Sequence, residues 1–251
     1  MLSFYKISYR PKLSGKLRYG QDYYDFDEGG LLFAAPNQVI GSSTGEGDCS
    51  RYTLLIHPDF LLGHPLAKEI RQYGFFSYTA NEALHLSEEE KEKIISIFAM
   101  IEDELDSRID DFSQDIVLAQ IGLLLNFANR FYKRQFTTRK AVSNELMQKL
   151  DDFLEHYFNN ERGLPSVHIL ADHVHLSPSY LSDMLRALIG QNAQQYIHGK
   201  LIDKAKEKLS TTDLSVSEVA YELGFEHSQS FSKLFKTKTS LSPLAFRRSF
   251  N

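Results

Sequence analysis

The stretch "ELGFEHSQSFSKLFKTKTSLSPLAFRRSF", Glu222 to Phe250, puts a Gly-Phe pair, a run rich in Ser, Gln and Lys, and two adjacent arginines into a chain whose formal charge is −5. Gly224 supplies the positive φ of a tight turn, and His227 or Ser228 stands where a following helix would be capped. Phe231 and Phe235 fall four apart, on one face of that helix. The opposite face carries Ser228, Gln229, Ser232, Lys233 and Lys236. Two capped helices around such a turn are a helix-turn-helix pattern.

The pattern occurs twice. "SVHILADHVHLSPSYLSDMLRALIG" begins at Ser166 and "SVSEVAYELGFEHSQSFSKLFKTKTS" at Ser215. At an offset of 49, Ser166, Val167, Ala171 and Val174 match Ser215, Val216, Ala220 and Leu223; at an offset of 50, Leu181, Ser182 and Leu185 match Phe231, Ser232 and Phe235. Ser166 and Ser215 cap the first helix of each copy, and Ser177 before Pro178 opens the second helix of the first copy. Ala171 and Ala220 are small where two helices cross closely. In the first copy, Leu181, Leu185 and Leu188 define the inward face, and Ser179, Ser182, Asp183 and Arg186 the outward one. A continuous helix over Asn192–Leu209 joins the copies; at 1.5 Å per residue it spans about 27 Å, which brings the second helices near the ~34 Å between successive major grooves.

Here the chain resembles the AraC/XylS family of bacterial transcription regulators. The resemblance covers about Leu146 to Phe250 and is most specific in the Gly-Phe turn, Phe231 and Phe235, Ser242-Pro243 and Phe246-Arg247. It implies an α+β chain: a small N-terminal antiparallel β domain, cupin-like and shortened, with a helical dimerisation element over 1–140, then an all-α domain with two helix-turn-helix units joined by a long helix over 141–251. It also implies a sequence-specific regulator of transcription that binds double-stranded DNA, as a homodimer, under a small-molecule effector, with RNA polymerase as a further partner and no cofactor.

The matched base-contact positions are Ser179, Ser182, Asp183, Ser228, Gln229, Ser232 and Lys233. Their chemistry suits base edges: Gln can pair with adenine, Lys can donate to guanine, and an acid can accept from cytosine N4. Arg186, Lys236, Lys238 and Arg247 are the phosphate candidates. Ala141–Asp183 carries 2 Lys/Arg against 7 Asp/Glu, whereas Met184–Asn251 carries 10 against 6, so the cations gather late. That placement suits a phosphate-facing surface.

The first half has another texture. From Met1 to about His57, aromatic and β-branched runs alternate with turn signals and predict five or six short antiparallel strands. Phe4, Tyr5, Tyr9, Tyr19, Tyr23, Tyr24 and Phe26 read as core before they read as the lining of a ligand cavity. Leu86–Arg108 and Phe112–Gln135 turn helical, the first opened by a Ser87/Glu90 capping box, with Ile94, Phe98, Ile101 and Leu105 as one stripe. Val117, Ile121, Leu124, Ala128 and Phe131, at 4-3-4-3 spacing, are the expected dimerisation stripe. "KRQFTTRKAVSN", Lys133–Asn144, is the expected linker.

Composition excludes other classes. Cys49 is the single cysteine, so no internal disulfide and no Cys-based zinc site can form. The longest central apolar run, Ile121–Leu125, is far below the ~18 residues of a membrane span, and the opening residues carry no signal segment. A cytoplasmic protein with no membrane partner is expected. His173 and His175 make an H-x-H pair, but residues two apart on a helix diverge by about 200°, so no metal site is expected. No P-loop, GxSxG elbow or carboxylate pair appears, so no enzyme is expected. The alternatives are a small β-barrel enzyme fused to a DNA-binding tail, and a protein-interaction module that has lost DNA binding.

Overall fold

Alternation along β1, Tyr5–Arg10, sends Tyr5, Ile7 and Tyr9 to one face, where all three are buried. Antiparallel pairing sets Ile7 opposite Phe33 of β4, Gly30–Ala34, and opposite Leu54 of β5, Tyr52–Ile56. Adding β6, Leu84–His85, gives a four-stranded sheet of order β5-β1-β4-β6; β2, Leu17–Tyr19, and β3, Asp22–Tyr24, form a separate two-stranded pair. The structure, a computed structural model, describes residues 3–11, 17–19, 22–24, 29–38, 51–79, 82–138, 140–160 and 163–250. Phe26 lies outside these residues.

Between β5 and β6 run a short helix α1, Leu66–Glu69, and three 3-10 turns. Two long helices then cover the sheet: α2, Glu88–Asp106, and α3, Ser113–Thr138. Ser87 and Glu90 form the capping box that opens α2. Aromatic rings join the sheet and the 3-10 turn Gly74–Ser77 to these helices. Tyr52 stacks on Phe98 of α2 at 5.3 Å, and Phe75 stacks on Tyr132 of α3 at 5.5 Å. Tyr5 and Tyr9 belong to this core, while Phe4 sets its edge against His57.

The end of α3 closes the sheet. The Gln135 side chain, itself buried, accepts from the His85 N–H at 2.9 Å and donates to the Ala83 carbonyl at 3.3 Å, as a neighbouring strand would. Arg134 donates to both carboxylate oxygens of Glu90, at 3.0 and 2.6 Å, and to the His85 carbonyl at 2.8 Å. This packing corrects the expected linker: Lys133 to Thr138 complete α3, and α4, Lys140–Asn160, begins two positions later. Arg134 and Gln135 turn their polarity to β6 and α2, while Lys133, Thr137 and Thr138 remain exposed.

Burial corrects two stripes. Leu105 is exposed at the end of α2, and Ile97 takes its place in the core. Val117, Ile121, Leu124, Ala128 and Phe131 are at most 4% exposed within a single chain. The expected dimerisation stripe is thus core of its own unit, because a helix with several apolar faces turns its densest one inward. The exposed apolar residues at this helix are Phe112, Ile116 and Leu123.

The chain divides into two compact units, Met1–Lys140 and Ala141–Asn251. The second is helical: α4 is followed by α5, Val167–His173; α6, Pro178–Ile189; α7, Ala193–Thr211; α8, Val216–Glu222; α9, Ser228–Thr239; and α10, Pro243–Arg248. Among the described residues no helix is long and apolar enough to cross a membrane.

Replacing Gln135 by Ala should leave the Ala83 carbonyl and His85 N–H without their partner and lower stability by about 1–3 kcal/mol. Amide exchange at His85 should accelerate more than at Ile7 in the sheet centre; equal acceleration would show that Gln135 does not guard this edge.

Candidate nucleic-acid interface

Six of the helices form two repeats of three. Each repeat opens with a serine cap: Ser166 accepts from the Ile169 N–H at 3.2 Å, and Ser215 from the Glu218 N–H at 3.2 Å. Each first helix ends in the same Schellman turn. Leu176 N–H bonds the Ala171 carbonyl and His175 N–H the Asp172 carbonyl; Phe225 N–H bonds Ala220 and Gly224 N–H bonds Tyr221, all at 3.0–3.1 Å. Ser177, with Pro178 behind it, caps α6; His227 precedes α9 without a side-chain bond. Both second helices end on a left-handed residue, Gly190 at φ 72° and Ser240 at φ 63°. The match extends one helix further than the sequence comparison reached, since the caps of α7 and α10, Asn192 and Ser242, also stand 50 apart.

Inward faces hold these helices in place. Leu181 and Leu185 of α6 and Phe231 and Phe235 of α9 are fully buried. Leu188 is only partly buried, and Met184 supplies the contact expected of it. In the second repeat the rings of Phe225, Phe231, Phe235 and Phe246 follow one another at 5.4–5.7 Å, which fixes α9 to its turn and to α10.

The outward faces are the candidate interface. On α6, Ser179, Ser182 and Asp183 are partly exposed and Arg186 is exposed; on α9, Ser228 and Ser232 are partly exposed and Gln229, Lys233 and Lys236 are exposed. Residues 179, 183 and 186 share a face, as do 229, 233 and 236, so each helix brings its own candidates together. Their electrostatics differ. Arg186 donates to the Asp183 carboxylate at 2.6 Å, so the first face nearly neutralises itself. Lys233 and Lys236 carry no ion pair among the described residues.

Two candidates sit elsewhere. Lys238, on the last turn of α9, lies near His198 of α7, whose pKa is held down first by burial and then by that lysine's charge. Arg247 is partly buried, and its Nε donates to the Leu209 carbonyl at 3.1 Å, latching α10 to the end of α7. His173 stacks on Phe153 of α4 at 4.1 Å and His175 lies beyond the end of α5; the described residues hold no group of three or more metal-ligating side chains.

Sequence reasoning missed the anchor of α4. Asp151 accepts from the buried Tyr196 hydroxyl and from Lys200 Nζ at 2.6 Å, both on α7. Tyr196 is the counterpart of Phe246, so the added hydroxyl was the available signal. Burial first, then the Asp151 bond, push the Tyr196 phenol well above its ordinary value.

Residues 170–249 match the family model of a helix-turn-helix domain. The chain is 29% identical over 140 residues to the HTH-type transcriptional regulator YfiF of Bacillus subtilis, across 55% of this chain and 42% of that protein. It is 28% identical over 116 residues to the regulatory protein PocR of Salmonella typhimurium, across 46% of this chain and 37% of that protein. It thus spans less than half the length of these curated relatives. Among solved structures, the C-terminal domain of the two-component response regulator yesN from Fusobacterium nucleatum is 29% identical, with 40% of this chain and 96% of that one covered and a TM-score of 0.37.

The raised Tyr196 pKa fixes a sign. The folded state keeps the proton longer than the unfolded one, so its contribution is complete below about pH 10 and declines as the pH rises above that. Unfolding free energies from urea titration of the unmodified protein and of Tyr196→Phe should therefore differ by about 1 kcal/mol at pH 8 and converge by about pH 11. A constant difference would show that the phenol is not held.

Proposed function

We propose, from the helix-turn-helix domain of residues 170–249, that this chain is a sequence-specific DNA-binding regulator of transcription whose α6 and α9 enter two successive major grooves. The observation that carries the proposal is the duplication. Two helix pairs closed by the same Schellman turn expose polar faces at matched positions, and α7 joins them as one helix of 19 residues. At 1.5 Å per residue α7 is about 28 Å long; with the half-widths of the flanking units this approaches the ~34 Å groove repeat.

Roles within the interface follow from its chemistry. Ser179, Ser182 and Asp183 on α6, and Ser228, Gln229, Ser232 and Lys233 on α9, face base edges. Lys236 and Lys238 serve phosphates, and Arg186 does so only after leaving Asp183. An exposed pair of that kind is worth at most about 1 kcal/mol, so the exchange costs little. Arg247 acts first as the latch on α7. The N-terminal unit is the sensing and self-association part of the same regulator.

The partner in self-association is a second copy, through the face of α3 that the core leaves free. Phe112, Ile116, Ala119 and Leu123 are exposed at 4-3-4 spacing, and a Cβ at Gly122 would meet open space, so another helix can approach closely. In an antiparallel pair centred between Val117 and Leu118, Phe112 of one copy meets Leu123 of the other and Ile116 meets Ala119, each twice. Leu123→Glu should convert the dimer to a folded monomer in sedimentation. A monomeric unmodified protein at high micromolar concentration would end this part of the proposal.

Binding tests the DNA reading directly, on a site selected from random duplex DNA. Gln229→Ala and Lys233→Ala should each cost about 1–3 kcal/mol on that site and relax base preference, whereas Lys236→Ala should weaken all sequences alike and flatten the salt dependence. Equal losses on selected and random DNA for all three would sink the assignment.

A further inference from the structure

Both repeats close their first helix with the same turn, yet only one of them requires glycine. In the first, His175 takes the left-handed position at φ 56° with its side chain exposed, so the turn itself admits a side chain. In the second, Gly224 stands there at φ 86°, and a Cβ on it would lie 2.3–2.6 Å from the carbonyl carbon, oxygen and Cα of Gly163. The neighbour, not the turn, excludes every larger residue. Gly163 lies between α4 and α5 and is itself at φ 106°. The backbone of that segment therefore bears on the turn that leads into α9.

We propose that the stretch leading into α5, residues 163–166, is a strut that sets the spacing and rotation of the two recognition helices, pressing through Gly163 on the second turn at Gly224. The proposal rests on the DNA reading given above. Among the described residues, the hydrogen bonds and ion pairs of the second repeat to α7 gather at one end of that helix, although Lys238 also lies near His198 further along it. Lys208 pairs with Glu222 at 2.6 Å, and Arg247 holds the Leu209 carbonyl. Attachment at one end is a hinge. A second point of support at Gly224 removes the freedom to pivot about it.

For the strut to transmit position, its other end must be fixed, and it is. Asp151 ties α4 to Tyr196 and Lys200 on α7, and Phe153 stacks on His173 of α5. Leu150, Leu154 and Phe158 are buried along the same helix. The Ser166 cap on α5 and the buried Pro165 thus hold one end of the strut, α4 grips α5 and α7 beside it, and Gly163 meets the turn of the second repeat at the other end. Gly163 and Gly224 are positioning residues: neither needs to touch DNA, and both govern where α9 meets it.

The test uses the full chain and a two-element site that the unmodified protein selects from random duplex DNA. One added base pair between the elements shifts them by about 3.4 Å and about 34°. The unmodified protein should lose about tenfold or more on that insertion, and Gly224→Ala about threefold or less, because a pivoting second repeat can follow the shifted groove. Gly190→Ala is the control: it imposes a side chain at φ 72° with nothing within 4 Å, and it should keep the unmodified spacing dependence. The pair Asp151→Asn with Phe153→Ala releases α4 without straining any turn and should relax spacing as Gly224→Ala does. The strut is overturned if folded Gly224→Ala keeps the tenfold loss, or if Gly190→Ala relaxes spacing equally. It is also overturned if Gly224→Ala fails to fold while the α4 pair keeps the stringency. If the unmodified protein selects no two-element site at all, the DNA reading fails and the strut with it.

Discussion

The second unit depends first on one constraint: α7 must run unbroken for 19 residues between the two helix pairs. Isolated helices of that length are marginal in water. Its start is fixed by a reciprocal box, with Asn192 accepting from the Gln195 N–H at 2.8 Å and Gln195 accepting from the Asn192 N–H at 2.9 Å. Its inward side buries Tyr196, Ile197, Leu201, Ile202, Ala205 and Leu209, so packing holds it along its whole length. Helix Gly199 is tolerated because these neighbours, rather than intrinsic propensity, decide the conformation.

The repeats share a backbone but not their interior chemistry. Leu176, Leu181 and Leu185 in the first correspond to Phe225, Phe231 and Phe235 in the second. Aromatic rings bring more buried area and a preferred edge-on geometry, which suits a repeat whose third helix, α10, has only 6 residues and can contribute little of its own. The first repeat has the long α7 as its third helix and α4 laid against it, so aliphatic packing suffices. Tyr196, standing where Phe246 stands in the second, converts the same ring position into an anchor for α4.

Much of this was legible in the residues. The serine caps Ser166, Ser177 and Ser215, the capping box of α2 and the inward Leu and Phe pairs follow from spacing alone, because local hydrogen bonds and periodicity act within a few residues. Misses arose where partners lie far apart in sequence. "KRQFTTRKAVSN" is polar, yet Arg134 and Gln135 spend that polarity on Glu90, Ala83 and His85, some 44 to 52 residues earlier. The stripe from Val117 to Phe131 shows that a helix has an apolar seam without showing whether its own sheet or another copy covers it. Gly224 was read correctly as a turn glycine, and the stronger reason for it, the backbone of Gly163, is invisible without coordinates.

The two outward faces differ in charge more than in shape, and this sets how they would act on DNA. Lys233, Lys236 and Lys238 give α9 a field that any phosphate backbone feels, so the second repeat can hold DNA of arbitrary sequence and be drawn to it at long range. Asp183, paired with Arg186, leaves the face of α6 nearly neutral, so α6 would add affinity only where the groove offers a matching partner. On the proposed reading the two helices would divide the work unequally: α9 would supply most of the attraction together with the base contacts of Gln229 and Lys233, and α6 chiefly a penalty for the wrong sequence. The division holds only if the two helices keep a fixed distance, since a first repeat free to swing clear of the groove would escape the penalty. Rigidity in α7 and in its supports is therefore a condition of specificity as much as of stability.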